Sequence, residues 1–236
     1  MSILLAPRPA LDLADFPWAP EPLEEVAAAQ PADAAAALGF ALSRLVPPRE
    51  VADTRPLALV TTALWLRERG RPFSHGLAAW GAAAERLIWV RAEREAEALW
   101  ALEEALKSGA VAGGLATLEA PSLVATRRLD FAARAGGAIG LVLRAGPTGD
   151  LSAARRRWRI AGRGSGEADF DRAAPGSSRL RAELLRRRDG PPGAWDLERD
   201  DETGGLRVVA GLAGDGLATR PIPDPHPQSA GRERAA

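Results

Sequence analysis

The sequence predicts an α/β domain, with a mainly parallel sheet flanked by helices and an antiparallel extension of strands toward the C-terminus. Three observations predict it. Short continuous apolar runs, such as Leu57–Thr61 and Leu87–Val90, have the character of strands buried on both faces. Segments between such runs carry apolar residues at helical spacing. After residue 150 the apolar residues recur at every second position instead.

The elements follow in order. Residues 1–21 are Pro-rich and form an arm in which Leu11, Leu13, Phe16 and Trp18 can pack. Leu23–Ala28 is a short strand candidate. Asp33 is placed to cap a helix through Leu45, whose stripe is Leu38, Leu42 and Leu45; Pro47 and Pro48 stop it. Pro56 introduces the strand Leu57–Thr61, and Leu87–Val90 is the next. Arg94–Lys107 is the clearest helix, with Leu99, Leu102 and Leu106 on one stripe and Glu95, Glu103 and Glu104 largely off it. Val111–Leu118 is a weak strand because Gly113 and Gly114 sit inside it. Ser122 caps a helix that ends at Gly136–Gly137, and Ala138–Arg144 is a further buried strand.

Beyond these, Arg155–Ala161, Arg179–Arg187 and Ala194–Arg199 alternate and read as antiparallel strands. Residues 162–178 read as a polar loop, and residues 213–236 as Gly/Pro-rich and disordered. The expected organisation is an arm over 1–21, one domain over 22–210 and a tail over 211–236.

Composition narrows the functions. The 236 residues suffice to bury a core without disulfides or metal. No cysteine is present, which excludes a thiol nucleophile and a cysteine metal site. With only His75 and His226, a histidine-rich metal site is excluded too, and no metal is expected. The formal net charge is zero, so no global field draws in nucleic acid or membrane. Neither a membrane-length apolar run nor a convincing signal peptide is present, so a cytoplasmic location is expected. Lys107 is the only lysine. No Ser-His-Asp set or paired-carboxylate site stands out.

Several stretches carry a resemblance. Residues 82–123 resemble the part of RecA that leads into its Walker B strand, with Ser108-Gly109-Ala110-Val111 ahead of the apolar strand. Within that group the chain resembles the ImuA family. The matching stretches are EEVAAAQ at 24–30, EAEALWALEEALKSGA at 95–110, SLVATRRLDFAARAGGAIGLVLR at 122–144, ARRRWRIA at 154–161 and LRAELLRRRDGPPGAWDLERDD at 180–201. The most specific is the arginine-flanked strand followed by an R-x-G-x-x-x-x-W turn.

The resemblance implies a RecA-like fold and a non-enzymatic accessory role in translesion synthesis after DNA damage (the SOS response). The expected partner is an ImuB-like protein, a Y-family polymerase relative. An error-prone C-family DNA polymerase is reached indirectly, RecA is a further expected contact, and DNA contact is weak or indirect. A nucleoid-associated location after damage follows from that role. The alternatives are a DNA-binding module built on arginine-rich strands and a SulA-like cell-division inhibitor.

A P-loop needs glycines so that backbone N–H groups can wrap phosphates, a lysine for the outer phosphates and a hydroxyl for Mg²⁺. The corresponding segment here is Ala29-Gln30-Pro31-Ala32-Asp33-Ala34-Ala35-Ala36, with none of these groups. Pro31 removes a donor, and Asp33 puts a carboxylate where a phosphate would bind. The Walker B aspartate position falls near Thr117. Where RecA has its catalytic glutamate, the chain continues Thr62-Ala63-Leu64; Glu68 and Glu119 are expected at the surface. No nucleotide cofactor is expected.

The remaining candidates concern partners. Arg155, Arg157 and Arg159, with Arg179, Arg181 and Arg187, form an expected basic face toward DNA phosphates or an acidic partner. Residues 150–190 hold eleven arginines against six acids, a local excess of five. Phe16 and Trp18 in the arm are candidate anchors on a partner, or on the chain's own domain.

Overall fold

The computed structural model describes residues 16–46, 53–145, 150–166, 171, 174–188, 190–200 and 205–209. Its sheet has nine strands among them: β1 (Leu23–Ala28), β2 (Leu57–Thr62), β3 (Leu87–Ala92), β4 (Gly113–Leu118), β5 (Ile139–Arg144), β6 (Arg156–Arg163), β7 (Arg179–Arg186), β8 (Gly193–Arg199) and β9 (Leu206–Val208). Their order across the sheet is β3-β2-β4-β5-β1-β6-β7-β8-β9. The first six in that order run parallel, and β7, β8 and β9 continue antiparallel. The α/β class with a mostly parallel sheet and an antiparallel C-terminal extension is therefore what the chain adopts.

One strand changes sides relative to expectation. Arg155–Ala161 reads as antiparallel from its alternation, yet β6 pairs parallel with β1 and antiparallel only with β7. Alternation reports which faces a strand shows, not the direction of its neighbour. The short strand β9 carried no usable sequence signal; it pairs with β8 through Leu197, Glu198 and Arg199.

Helices α1 (Ala34–Leu45), α4 (Glu95–Lys107) and α5 (Leu123–Gly136) lie close to their expected ranges, and two short helices, α2 (Ala63–Arg69) and α3 (Ser74–Ala79), follow β2. The sheet separates two cores. Phe40, Leu42 and Leu45 of α1 lie on one face with Trp158 and Trp195; Leu102 and Leu106 of α4 and Leu129 of α5 lie on the other. Strand β2 feeds both: Leu57 and Leu59 enter the first core, Ala58 and Val60 the second. That double duty is why its sequence is a continuous apolar run.

The glycines that make β4 look weak have a packing reason. A Cβ on Gly113 would stand 2.8 Å from the Ile139 carbonyl oxygen and from Leu45 Cδ2, and one on Gly114 only 2.7 Å from Leu102 Cδ1. The two helical layers approach the sheet closely only because these positions are bare. Ser122 caps α5 as expected, its side chain accepting from the Ala125 N–H at 3.2 Å.

Candidate functional site

In open α/β sheets, ligands bind beyond the carboxyl ends of the parallel strands, at the reversal of strand order. In this chain that place lies at the ends of β1 and β5, beside the start of α1. After Ala28 the chain makes a short link through Ala29 and Gln30, then a 3₁₀ turn over Pro31–Asp33, and enters α1 at Ala34. Ala29 N–H donates to the Ile160 carbonyl at 2.8 Å, tying the link to β6.

Asp33 does not cap α1, contrary to expectation. It makes no side-chain capping hydrogen bond. Its carboxylate Oδ1 instead accepts from the Gly162 N–H at 2.9 Å, at the end of β6. Asp33 is buried, and the bond joins the start of α1 to a strand 129 residues away. Its Oδ2 has no partner among the described residues.

The cleft above this turn is closed by side chains that the sequence did not mark. Trp65 and Arg69 of α2 line it together with Ala28, Ala34, Ala37, Leu143 and Arg144, leaving about 10 Å³. That is the room one water needs. Arg69 Nη1 donates to the Pro31 carbonyl at 2.7 Å, so α2 is bonded across the mouth. Thr117, at the expected Walker B position, is buried, and its Oγ1 accepts from the Thr62 N–H at 3.0 Å where β2 and β4 part. Thr61 accepts from Trp89 Nε1 at 2.8 Å, and Thr62 caps α2. Both hydroxyls at the end of β2 are thus engaged in structural bonds. Glu68 and Glu119 are exposed, as expected.

Two acids in β1 dominate the polar interior. Adjacent strand residues point to opposite faces. Glu24, with 0% exposure, accepts from Arg44 Nη2 at 2.8 Å, from Trp158 Nε1 at 2.8 Å and from the Glu21 N–H at 2.8 Å, with Arg156 Nη1 at 3.4 Å. Glu25, on the other face, meets Arg157 Nε at 2.9 Å and Arg144 Nη1 at 3.6 Å. The stretch EEVAAAQ carried the family resemblance, but burial of both carboxylates was not legible in it; buried acids require partners, and the partners are remote in sequence.

The part of the arm among the described residues, 16–21, is tied to the domain. Arg44 Nη1 donates to the carbonyls of Pro17 and Trp18 at 2.9 Å each, and Arg156 Nη1 to that of Ala19 at 2.5 Å. Phe16, a candidate anchor on a partner or on the chain's own domain, is only 3% exposed; its ring lies 5.6 Å from that of Trp158 and 5.3 Å, edge-on, from that of Trp195. Its apolar ring has found its burial inside this chain. The expected boundary at residue 21 therefore cuts through packed structure. Trp18 packs against Phe16 with its ring tilted by 59° but stays 49% exposed. The tail beyond residue 210 lies outside the described residues.

The arginine-rich strands carry less free charge than their composition implies. Arg159 pairs with Glu183, Arg181 with Asp196 at 3.2 Å and Arg179 with Glu198 at 2.5 Å, each directly across neighbouring strands. Arg157 pairs with Glu25, and Arg155 stands 3.6 Å from Glu21. Arg187 packs against Gly190 and is also engaged. The count over residues 150–190 missed these partners because Glu21, Glu25, Asp196 and Glu198 lie outside that window. The result is a charge-matched cross-strand ladder, not an unopposed basic face.

Glu198 illustrates the consequence. Burial alone would raise its pKa, but hydrogen bonds from Arg179 and Arg207 outweigh burial and hold it below the usual glutamate value. A depressed carboxylate contributes stability above the unfolded pKa, about 4.3, and loses it as pH falls through the folded value. Unfolding monitored between pH 6 and pH 3, reference values of this order for carboxylates, is expected to show an acid limb that shrinks in Glu198→Gln. Asp53, lowered by its hydrogen bonds from Arg55, keeps part of that limb. An unchanged limb would remove Glu198 from this role.

The fold and site define an α/β protein whose strand-end cleft is closed by its own side chains. No protein-family model matches the chain. Protein ImuA from two strains of Caulobacter vibrioides is 40% identical over 168 residues, covering 66% of this chain and 68% of the relative. The chain belongs to the ImuA family. Among solved structures, that of SulA from Pseudomonas aeruginosa aligns at 27% identity over 54% of this chain and 100% of that one, with a TM-score of 0.40, too distant in shape to carry an argument. Among the described residues no helix is long and apolar enough to cross a membrane.

Proposed function

We propose that this chain is a non-catalytic accessory protein of damage-induced mutagenic translesion DNA synthesis, acting by binding an ImuB-like protein. Membership of the ImuA family supports the process. One observation carries the non-catalytic half: the strand-end cleft holds about 10 Å³, with Trp65 and Arg69 standing in it and Arg69 bonded to the Pro31 carbonyl. A triphosphate needs an open loop of N–H donors, a lysine and a metal-holding hydroxyl. The engaged roles of Thr117 and Thr62 support the same reading. The paired state of the strand arginines favours a protein partner over a phosphate backbone, which needs unopposed positive charge.

Two measurements test it. A nucleotide seated at 100 times its Kd stabilises a fold by about 2.7 kcal/mol, several degrees in Tm. Mg-ATP is expected to leave the melting temperature unchanged; a shift of several degrees would overturn the non-catalytic half. The purified chain is expected to co-elute with the ImuB-like protein of the same organism. Failure to do so at micromolar concentration, with both proteins folded, would overturn the binding half.

A further inference from the structure

We propose that the groove between α5 and residues 151–153 is a docking site for an acidic segment of a partner protein that carries an apolar side chain. This rests on the reading above that the chain acts by binding other proteins. The groove measures about 290 Å³ and is walled by Leu123, Arg127, Phe131, Leu151, Arg186 and Arg188. That volume is at the lower end for ligand pockets, ~300–1,000 Å³, and suits side chains more than a whole folded surface.

Helix α5 has two distinct faces. Thr126, Leu129, Ala132 and Ala133 are buried toward the sheet. Val124, Arg127 and Phe131 recur at helical spacing on the outer side, where Phe131 is 71% exposed. Opposite it Leu151 is 72% exposed. Leu151 is held there by its neighbours. The Ala153 N–H donates to Thr126 Oγ1 at 3.0 Å, Arg157 donates to the Asp150 carbonyl, and Arg144 Nη2 lies 3.2 Å from Asp150 Oδ2. The two apolar rims are thus presented by a braced support, and little ordering remains to be done on binding.

The charge of the groove picks the occupant. Arg127 and Arg188 have no ion pair among the described residues, and Arg186 makes one long contact, 3.5 Å, to the Ser152 carbonyl. The one acid in the wall, Asp130, is held by Arg134 at 3.0 Å. Elsewhere the strand arginines are matched by acids; here three cluster around an apolar pocket whose one acid among the described residues, Asp130, is taken by Arg134. Arginine clusters recognise acidic segments, and exposed aromatic and arginine side chains together mark interface anchors. A nucleic-acid strand would want the arginines in a continued track, and Leu151 offers nothing to a phosphate or a base edge.

The test uses the full chain and a fluorescein-labelled peptide in which Asp and Glu residues flank a Leu-Phe pair, with a control whose acids are Asn and Gln. Anisotropy is expected to show saturable binding of the acidic peptide and at least roughly tenfold weaker binding of the control, the scale of losing buried charged contacts. Arg127→Glu combined with Arg188→Glu, and separately Phe131→Ser, should each weaken binding about as much without lowering Tm, since these side chains are exposed. Equal binding by wild type and variants would overturn the proposal. So would displacement of the peptide by an oligothymidine strand that itself binds through the same arginines, or self-association that Phe131→Ser abolishes. Co-elution with the ImuB-like protein separates the two claims. If the arginine variant is captured as well as wild type, the groove fails and the proposed function stands. If wild type is not captured yet the peptide pattern holds, the function fails and the groove stands.

Discussion

Glu24→Ala is expected to cost about 3–5 kcal/mol of folding stability, the scale of removing one partner from a buried ion pair. Arg44 would lose its carboxylate partner and Arg156 would be left with Glu21, 3.6 Å away, since both arginines now converge on Glu24. Trp158 Nε1 would lose its acceptor as well. A buried guanidinium that loses its carboxylate, as Arg44 would, is strongly penalised in a dry interior. Glu24→Gln keeps the volume and one acceptor and should fall between wild type and alanine. Urea unfolding followed by tryptophan emission measures this, and a loss under about 1 kcal/mol for the alanine variant would show the cluster to be hydrated.

The second large effect is expected at Phe16. Its ring sits among Trp158, Trp195 and Trp18, and truncating a fully buried aromatic ring costs about 3–5 kcal/mol. The cavity would lie where the arm meets the domain, so part of the loss should appear as local release of residues 16–22. Those residues are held otherwise by carbonyl bonds to Arg44 and Arg156. Limited proteolysis should therefore cut the Phe16→Ala chain in this stretch at denaturant levels where wild type resists. Equal resistance, with an unchanged unfolding midpoint, would mean that the arm contributes nothing to the domain.

Both effects concern residues that the sequence treats as peripheral. Phe16 lies in a Pro-rich stretch with no periodicity, so nothing local distinguishes a docked ring from a free one. Glu24 and Glu25 stand side by side in a strand, and a two-residue acidic pair more often marks a solvated edge. Their burial depends on Arg156 and Arg157, more than 130 residues later, which reach them because β6 lies beside β1. The misplaced helix cap at Asp33 has the same origin: a carboxylate next to a helix start satisfies the local rule, but the Gly162 N–H offers a buried bond that the local rule does not include. The count behind the basic face missed its counter-charges for the same reason, because a charge count along the chain does not see acids brought in by strand pairing.

What the sequence by itself determined is what depends on residue identity and short-range spacing. The apolar runs of β2 and β5, the stripe of α4, the Ser122 cap and the want of glycine, lysine and hydroxyl in the Ala29–Ala36 segment were all readable, because each is settled within a few residues. Only the tertiary structure decided which charges cancel, that Trp65 and Arg69 fill the strand-end cleft, and that Arg127, Arg186 and Arg188 gather around one groove. Electrostatic pairing and the filling of space are properties of neighbours in three dimensions, and parallel strands bring together residues that the chain keeps far apart.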